Sequence, residues 1–221
     1  MTFASTPYRP NGTVYGTLLN FRREHAVFVP QMVQPPYKAA PQAPVLYVKT
    51  ANTFTPNGGT VAVPARVPRV EVGATLAMVF GPSSGPGIAH WVLMNDFSLP
   101  HVSYFRPPVK FKCLDGFLGL GSACVSPEIL GDPARVTLQV HINGELKQAL
   151  DFSELIRDAK TLVRDVREFM SLREGDVLML GLDCLAGGGR PLAQVGDTVD
   201  IHSPGHPQLG VLSNSLVAEA T

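Results

Sequence analysis

The candidate chemistry of this chain begins with side chains that alternate along one predicted strand. Segment 70–81 reads VEVGATLAMVFG. Residues two apart on a strand share a face, so Glu71, Gly73 and Thr75 point the same way. Carboxylates at alternate positions of such a strand could bind a hard divalent cation such as Mg²⁺, which requires several oxygen ligands. Here that face offers only the Glu71 carboxylate and the Thr75 hydroxyl.

A further carboxylate, Asp96, stands in segment 92–98 (VLMNDFS). It is either a ligand or substrate anchor, or a loop aspartate that accepts hydrogen bonds from nearby backbone amides. Glu71 is expected to be a surface strand residue. The sequence therefore predicts no complete metal site, and Asp96 and Glu71 are the candidates for holding an ion.

The elements that must position these side chains are mostly strands, with one main helix. Alternating or continuous apolar runs predict strands at 13–19, 45–49, 75–80, 90–94, 136–142, 145–150, 176–182 and 197–201. Asn143-Gly144 between two of these runs is a strong hairpin signal. The sequence therefore predicts a mostly β (α+β) fold.

The main helix is predicted over Ser153–Met170, where apolar residues recur with a 3.6-residue period. Asp151 and Glu154 have the spacing of a capping box, and an exposed pair of Arg164 with Glu168 is expected. Residues 27–44 hold five prolines and little periodicity, so we expect an ordered loop or lid there.

Composition excludes several classes of partner. Lys and Arg number 18 and Asp and Glu number 18, which gives no electrostatic case for nucleic acid or an anionic membrane. Three cysteines without CxxC spacing favour neither a disulfide framework nor a zinc site. No apolar run approaches the roughly 18 residues of a membrane span, and the first twelve residues lack the apolar core of a signal peptide. We expect a cytoplasmic protein.

Several segments, in the same order along the chain, resemble the fumarylacetoacetate hydrolase family. These are GTLLNF (16–21), VLMNDFS (92–98), KCLDGF (112–117), ING (142–144), LREGDVLMLG (172–181) and VGDTVDI (195–201). The combination of PPYKAAPQAPVLYVKTANT, VGATLAMVFG and NDFSLPHVSYFRPPVKFKCLDGF is narrower. It is similar to the N-terminal half, or the separate N-terminal subunit, of the bifunctional isomerase/decarboxylases of 4-hydroxyphenylacetate degradation within that family.

The resemblance implies a rolled β-sheet fold in one domain over residues 1–221. An N-terminal segment with the proline-rich loop would cover 1–50, and a catalytic-type core would cover 51–221. It also implies decarboxylation of 5-oxopent-3-ene-1,2,5-tricarboxylate and isomerisation of 2-hydroxyhepta-2,4-dienedioate. In the family, Mg²⁺ or Mn²⁺ stabilises the enolate beside a 2-oxo acid. Because Gly73 and Thr75 offer no carboxylate to such an ion, we expect the ion to be absent from this chain or weakly bound.

By the same resemblance, Lys112, Asn95 and Lys49 are the candidate substrate-binding residues, and no catalytic residue is assigned. Lys112 has an alternative as a solvated residue of a half-buried strand, because Lys110 and Lys112 alternate with Phe111 and Cys113.

Other family positions are changed or doubtful in this chain. By the resemblance, Gly73 and Thr75 stand where the family has the two glutamates of its metal strand, Asp96 stands where it has the third ligand, and Leu182 stands where it has a threonine that holds substrate. Glu71 would lie about 6–7 Å from position 73 in a regular strand, too far to take the place of that ligand unless a bulge moves it. Glu24 and His25 stand near the place of a family Glu–His pair, but adjacent residues of a helix or strand do not face one pocket.

These departures leave three alternatives for the partners and the function of the chain. The chain forms a heterodimer with a paralogous, metal-bearing chain, or a homodimer, and its substrate is a small dicarboxylic or tricarboxylic 2-oxo acid. Alternatively, it is a self-sufficient enzyme that holds an ion with Glu71 and Asp96. The third alternative is a non-catalytic assembly subunit of this fold.

Overall fold

The computed structural model describes residues 8–82, 87–101, 103, 105 and 108–220. Residues 1–7 of the predicted N-terminal segment, and positions 102, 104, 106 and 107 of the third motif, lie outside the described residues. In chain order the strands and α-helices are β1 (Val14–Leu18), α1 (Arg22–Met32), β2 (Val45–Lys49), β3 (Phe54–Pro56), β4 (Thr60–Val63), β5 (Val70–Glu71), β6 (Ala74–Phe80), β7 (Ile88–Asp96), α2 (Val109–Lys112), β8 (Leu118–Leu120), α3 (Pro127–Leu130), β9 (Thr137–Ile142), β10 (Glu145–Asp151), α4 (Ala159–Arg167), β11 (Val177–Met179), β12 (Leu192–Ala193), β13 (Thr198–His202) and β14 (Val211–Ala218).

The strands form two mixed sheets and a two-stranded ribbon. The first sheet has the order β2-β1-β11-β6-β7-β8-β3, and the second has the order β10-β9-β13-β14-β4. Strand β12 pairs with β5. Most neighbours are antiparallel, while β1 with β11, β3 with β8 and β14 with β4 are parallel. The predicted mostly β class is confirmed, whereas the division into segments 1–50 and 51–221 stays a prediction.

Strand β6 is buried along its whole length because both faces of the first sheet are covered. Leu76, Met78 and Phe80 pack in a large core shared with the second sheet and α4, and Ala77 and Val79 pack in a second cluster on the opposite face. A strand with two covered faces reads as a continuous apolar run, as the sequence shows. The second face carries the candidate site.

The Asn143-Gly144 hairpin between β9 and β10 is confirmed. Both residues have positive φ, 53° and 80°, as a type I′ turn requires. No helix among the described residues is both long enough and apolar enough to cross a membrane.

Helix α4 begins at Ala159, six residues after the predicted start at Ser153. The Asp151 carboxylate accepts from the Ser153 amide and caps a 3₁₀ turn over Phe152–Glu154, so the predicted capping box with Glu154 is wrong. Asp158 caps α4 instead, accepting from the Thr161 amide at 2.7 Å. The apolar pattern continues through the 3₁₀ turn, which explains the early predicted start.

Two smaller expectations about helices are also corrected. Arg164 pairs with Asp165 at 2.8 Å, the neighbouring residue, rather than with Glu168. Residues 27–32, predicted as part of a loop, belong to α1, which contains Pro30 two residues before its end. Pro30 has no amide hydrogen to donate to the Ala26 carbonyl, and the helix ends two residues later at Met32.

Candidate functional site

The candidate site lies on the face of the first sheet that carries Ala77 and Val79. Strands β2, β6 and β7 bring polar side chains together there. Lys49 ends β2, Thr75 lies in β6 and Asp96 ends β7. Strand alternation places Thr75 with Ala77 and Val79, and Asp96 with Val92 and Met94, on this one face. The sheet therefore gathers residues from segments that are far apart in the sequence.

The Asp96 carboxylate is held by two lysine ammonium groups. Lys49 Nζ lies 2.8 Å from Asp96 Oδ1, and Lys112 Nζ lies 2.7 Å from Asp96 Oδ2. The Tyr47 hydroxyl donates a short hydrogen bond to Oδ2. All three charged side chains are fully buried. Asp96 is thus a buried anion that is already paired with two cations, and the alternative of a loop aspartate bound to backbone amides is wrong.

Lys112 reaches this site from a helical turn. The Lys112 amide donates to the Pro108 carbonyl at 2.8 Å, which closes the short helix α2. The alternating pattern of residues 110–113 therefore does not form a strand. The helical turn directs Lys112 into the interior while Lys110 stays exposed. The alternative that Lys112 is a solvated residue is wrong, and its use in binding substrate stays a prediction.

Burial and neighbouring charges shift the pKa values of both Asp96 and Lys112. Burial alone would raise the pKa of Asp96, but Lys112 and Lys49 outweigh it and hold that pKa well below its ordinary value. Burial lowers the pKa of Lys112 to about 8, against the opposing effect of Asp96. At neutral pH both groups are charged. Two ammonium groups against one carboxylate leave one positive charge in excess.

Gly73 and Thr75, the other two positions that the family resemblance assigns to metal ligands, do not fit an ion. A Cβ at Gly73 would lie 2.4 Å from the Asp96 carbonyl oxygen and 3.2 Å from Leu182 Cδ2, so backbone and an apolar side chain fill that space. Thr75 turns its hydroxyl to the Gly181 carbonyl at 2.6 Å. Among the described residues, no group of three His, Cys, Asp or Glu side chains is placed to hold a metal ion.

A second ion-pair cluster contains Glu71. Arg190 Nη1 lies 3.3 Å from Glu71 Oε2, and Arg190 Nη2 lies 2.5 Å from Glu24 Oε1. The prediction that Glu71 is a surface residue is wrong, because Glu71 is buried between β12 and Ser98. Glu71 and Asp96, the two proposed ligands of one ion, therefore pair with different cations.

Glu24 ties helix α1 to this second cluster. Its Oε2 accepts from the Leu19 amide at 2.7 Å, and only Glu24 and Met32 of the helix are buried. Burial raises the pKa of Glu24, against the opposing charge of Arg190. His25, the next residue, is half-buried near Asn20 and does not join the cluster. The two residues do not face one pocket, as their adjacency predicts.

The structure separates Asn95 from the other two candidate substrate-binding residues. Alternation along β7 directs Asn95 to the face opposite Asp96. Its Oδ1 accepts from the Gly73 amide at 3.2 Å. Lys49 and Lys112 meet at Asp96, whereas Asn95 supports the backbone behind the site.

Sequence reasoning missed Tyr47 and Arg190. Tyr47 lies two residues before Lys49 on β2, so the strand period alone could have placed both on one face. Arg190 follows three glycines at 187–189, and no local pattern indicates that it is buried.

Known proteins resemble this chain along nearly its whole length. The family model described as fumarylacetoacetate (FAA) hydrolase, C-terminal, matches residues 13–217. A 4-hydroxyphenylacetate degradation bifunctional isomerase/decarboxylase from Salmonella dublin is 34% identical over 216 residues, which cover 94% of this chain and 48% of that protein. The chain thus spans about half the length of this relative.

Two further comparisons concern smaller proteins. An oxaloacetate tautomerase from Escherichia coli (strain K12) is 26% identical over 181 residues, covering 76% of this chain and 81% of the relative. The crystal structure of fumarylpyruvate hydrolase from Pseudomonas aeruginosa, in complex with Mn²⁺ and pyruvate, has a TM-score of 0.74. It covers 99% of this chain and 100% of that chain at 18% identity, so the likeness is one of fold.

Proposed function

This chain belongs to the fumarylacetoacetate hydrolase family, and from that premise we propose that it is one part of a two-part isomerase/decarboxylase. It corresponds to the N-terminal half of the bifunctional enzymes of 4-hydroxyphenylacetate degradation. A second chain of the same fold, with a complete Glu-x-Glu metal strand, carries the metal-dependent chemistry. The substrates are small dicarboxylic and tricarboxylic 2-oxo acids: 5-oxopent-3-ene-1,2,5-tricarboxylate for decarboxylation and 2-hydroxyhepta-2,4-dienedioate for isomerisation.

The similarity to the Salmonella relative supports the substrate class. That relative is 34% identical over 94% of this chain but is about twice as long. The relative's printed name assigns it two activities, isomerase and decarboxylase. In the proposed arrangement, this chain and a second chain of the same fold carry those activities together.

The observation that carries the proposal is the state of Asp96. A carboxylate paired with Lys49 and Lys112 at 2.8 and 2.7 Å has both oxygens engaged. A divalent cation placed beside it would meet two ammonium groups, and like charges at such distances repel strongly in a buried site. Among the described residues, no group of three His, Cys, Asp or Glu side chains is placed to supply the family's metal chemistry.

The alternative of a self-sufficient metal enzyme depends on Glu71 and Asp96 sharing one ion. Glu71 instead pairs with Arg190, and the hydrogen bonds between the Glu71 and Ser98 backbones fix its strand in place. Release of both carboxylates would break two buried ion-pair clusters at once. This geometry counts against one ion that is shared by Glu71 and Asp96.

Co-expression with a metal-bearing paralogue tests the proposal. The complex should elute as one species in size-exclusion chromatography and should turn over the tricarboxylate substrate far faster than either chain alone. A matched complex in which the paralogue's Glu-x-Glu is changed to Gln-x-Gln should form but stay inactive. If the chain does not associate with such a paralogue, the proposal is wrong. Association without turnover would favour a non-catalytic assembly subunit.

A further inference from the structure

A separate cavity lies between helix α4 and the start of strand β7. Its volume is about 710 Å³, which is within the range of small-molecule sites. Phe80 lines this cavity and lies at the opposite end of β6 from Thr75. Five residues of a strand span about 17 Å, and Phe80 faces the large core rather than the face that carries Asp96. The cavity is therefore distinct from the candidate site.

The floor of this cavity is apolar. A shift in the register of β6 against β7 allows Ile88 and Trp91, which are three residues apart, to line the same cavity. Phe152, in the 3₁₀ turn before α4, and Val163 of α4 line it as well. Trp91 and Phe152 are buried, whereas Ile88 and Val163 are only half-buried. A ligand with an apolar body would remove the exposed part of these side chains from water, which is favourable.

The rim of the cavity carries three cationic side chains from α4. Lys160, Arg164 and Arg167 are spaced four and three residues apart, so they lie on one side of the helix, and all three are exposed. Arg164 pairs with Asp165 at 2.8 Å. Lys160 and Arg167 have no ion pair with any residue that the structure describes. Their charges are therefore available to an anion.

Two carboxylates also line the cavity, and their positions indicate where an anion would lie. Asp132 and Asp158 each accept a hydrogen bond from a backbone amide two or three residues ahead, at 3.0 and 2.7 Å, and so cap helical turns. Asp158 precedes α4 whereas Arg167 ends it, so about 13 Å of helix separates them. Arg167 Nη2 lies 3.1 Å from the position that a Cβ on Gly87 would occupy, so the guanidinium group packs against the start of β7. An anion is therefore expected at the Arg167 end.

We propose that this cavity binds a small monocarboxylate with an apolar ring, with the ring against Ile88 and Val163 and the carboxylate against the Arg167 guanidinium group. An arginine can donate two parallel hydrogen bonds to one carboxylate, and Arg164 on the same side of α4 adds positive charge. Such a ligand would cover the half-buried floor and pair with a free cation at once. The inference does not depend on the proposed function, because the cavity shares no residue with the Asp96 ion pairs.

Trp91 is the only tryptophan of the chain, so tryptophan fluorescence reports directly on this cavity. The chain is titrated with 3-phenylpropionate, and calorimetry counts the sites. We expect a saturable change in the emission of Trp91 and one site per chain. The amide 3-phenylpropanamide has nearly the same shape without the charge, and it should bind about tenfold more weakly because a charged hydrogen bond is lost.

Two variants test the two parts of the site. Arg167→Met should weaken the binding of 3-phenylpropionate about tenfold and remove its advantage over the amide. Arg173→Met changes an exposed arginine outside the cavity and should bind as the parent does. Val163→Phe should fill the cavity and abolish the binding of both compounds. Because Arg167 is exposed, its variant is expected to fold even if Val163→Phe does not.

Three results would each overturn the inference. These are the absence of a saturable change in Trp91 emission, equal affinity for the acid and the amide, and unchanged affinity for the acid in Arg167→Met. All three are measured on the chain alone. Association and turnover with a paralogue are measured separately, so this inference and the proposed function can fail independently.

Discussion

Gly73 and Asp96 are joined so closely that position 73 has no room for a side chain. The Asp96 amide donates to the Gly73 carbonyl at 2.8 Å, and a Cβ on Gly73 would lie 2.4 Å from the Asp96 carbonyl oxygen. The family resemblance implies a metal-binding glutamate at position 73. The backbone of this chain leaves no room for such a side chain there, and Leu182 packs beside the same position.

Replacing Gly73 by alanine should destabilise the protein by about 1–3 kcal/mol, the range for overpacking a well-packed core. The added methyl group meets a backbone carbonyl, which cannot rotate away as a side chain would. Urea unfolding at neutral pH measures the change. Gly205→Ala is the control, because nothing lies within 4 Å of its added Cβ and its backbone needs no positive φ. Equal stability of the two variants would contradict the close approach.

Manganese should not bind to the chain at one equivalent. Asp96 already pairs with two lysines, and Glu71 pairs with Arg190, so a cation would have to displace buried ion pairs. Elemental analysis after purification in Mn²⁺, with melting curves in Mn²⁺ and in EDTA, provides the measurement. A paralogue with a complete Glu-x-Glu is the positive control. Stoichiometric metal that disappears in Asp96→Ala would show that the cage forms.

The overall fold was predictable because its signals are local. The Asn143-Gly144 turn and the apolar run of β6 are each visible within a few residues, and both are confirmed. Helix starts were less predictable, since the apolar period that forms α4 also runs through the preceding 3₁₀ turn. Asp158 caps α4, whereas Asp151 caps the 3₁₀ turn before it. The sequence alone does not distinguish which of these two aspartates begins the helix.

The site was less predictable because its contacts join distant segments. Tyr47 meets Asp96 across 49 positions, and Arg190 meets Glu24 across 166. Family resemblance identified Asp96 and Lys112 as candidates, but it did not indicate that they pair with each other. The alternation of residues 110–113 suits a strand equally well, and only the helical turn after Pro108 directs Lys112 inward.

Lys49→Met should destabilise the protein by about 3–5 kcal/mol, the range for breaking a buried ion pair. The change leaves Asp96 with one lysine and removes the donor from the Lys112 and Phe117 carbonyls. Lys110→Met is the matched control and should lie within about 0.5 kcal/mol of the parent, as exposed substitutions do. Chemical unfolding measures both. A Lys49 variant as stable as the control would show that the buried contacts of Lys49 with Asp96 and with the two carbonyls do not stabilise the fold.

Glu24 should make the protein less stable as pH rises above the ordinary glutamate range. Burial raises the pKa of Glu24 in the folded state, against the opposing charge of Arg190, so the folded protein holds this proton more tightly than the unfolded chain. The resulting stabilisation is fully present below about pH 4.5 and is lost as pH rises through the raised folded pKa. Glu24→Gln removes this proton equilibrium while keeping the shape of the side chain.

The variant's free energy of unfolding, relative to that of the parent, should therefore increase from pH 4.5 upward and level off above the folded pKa of Glu24. Urea unfolding at several pH values measures the difference. Glu174→Gln, at an exposed position, is the control and should track the parent throughout. If the parent instead gains stability over Glu24→Gln as pH rises, the ion pair with Arg190 outweighs burial, and α1 is held to the protein by a charged Glu24.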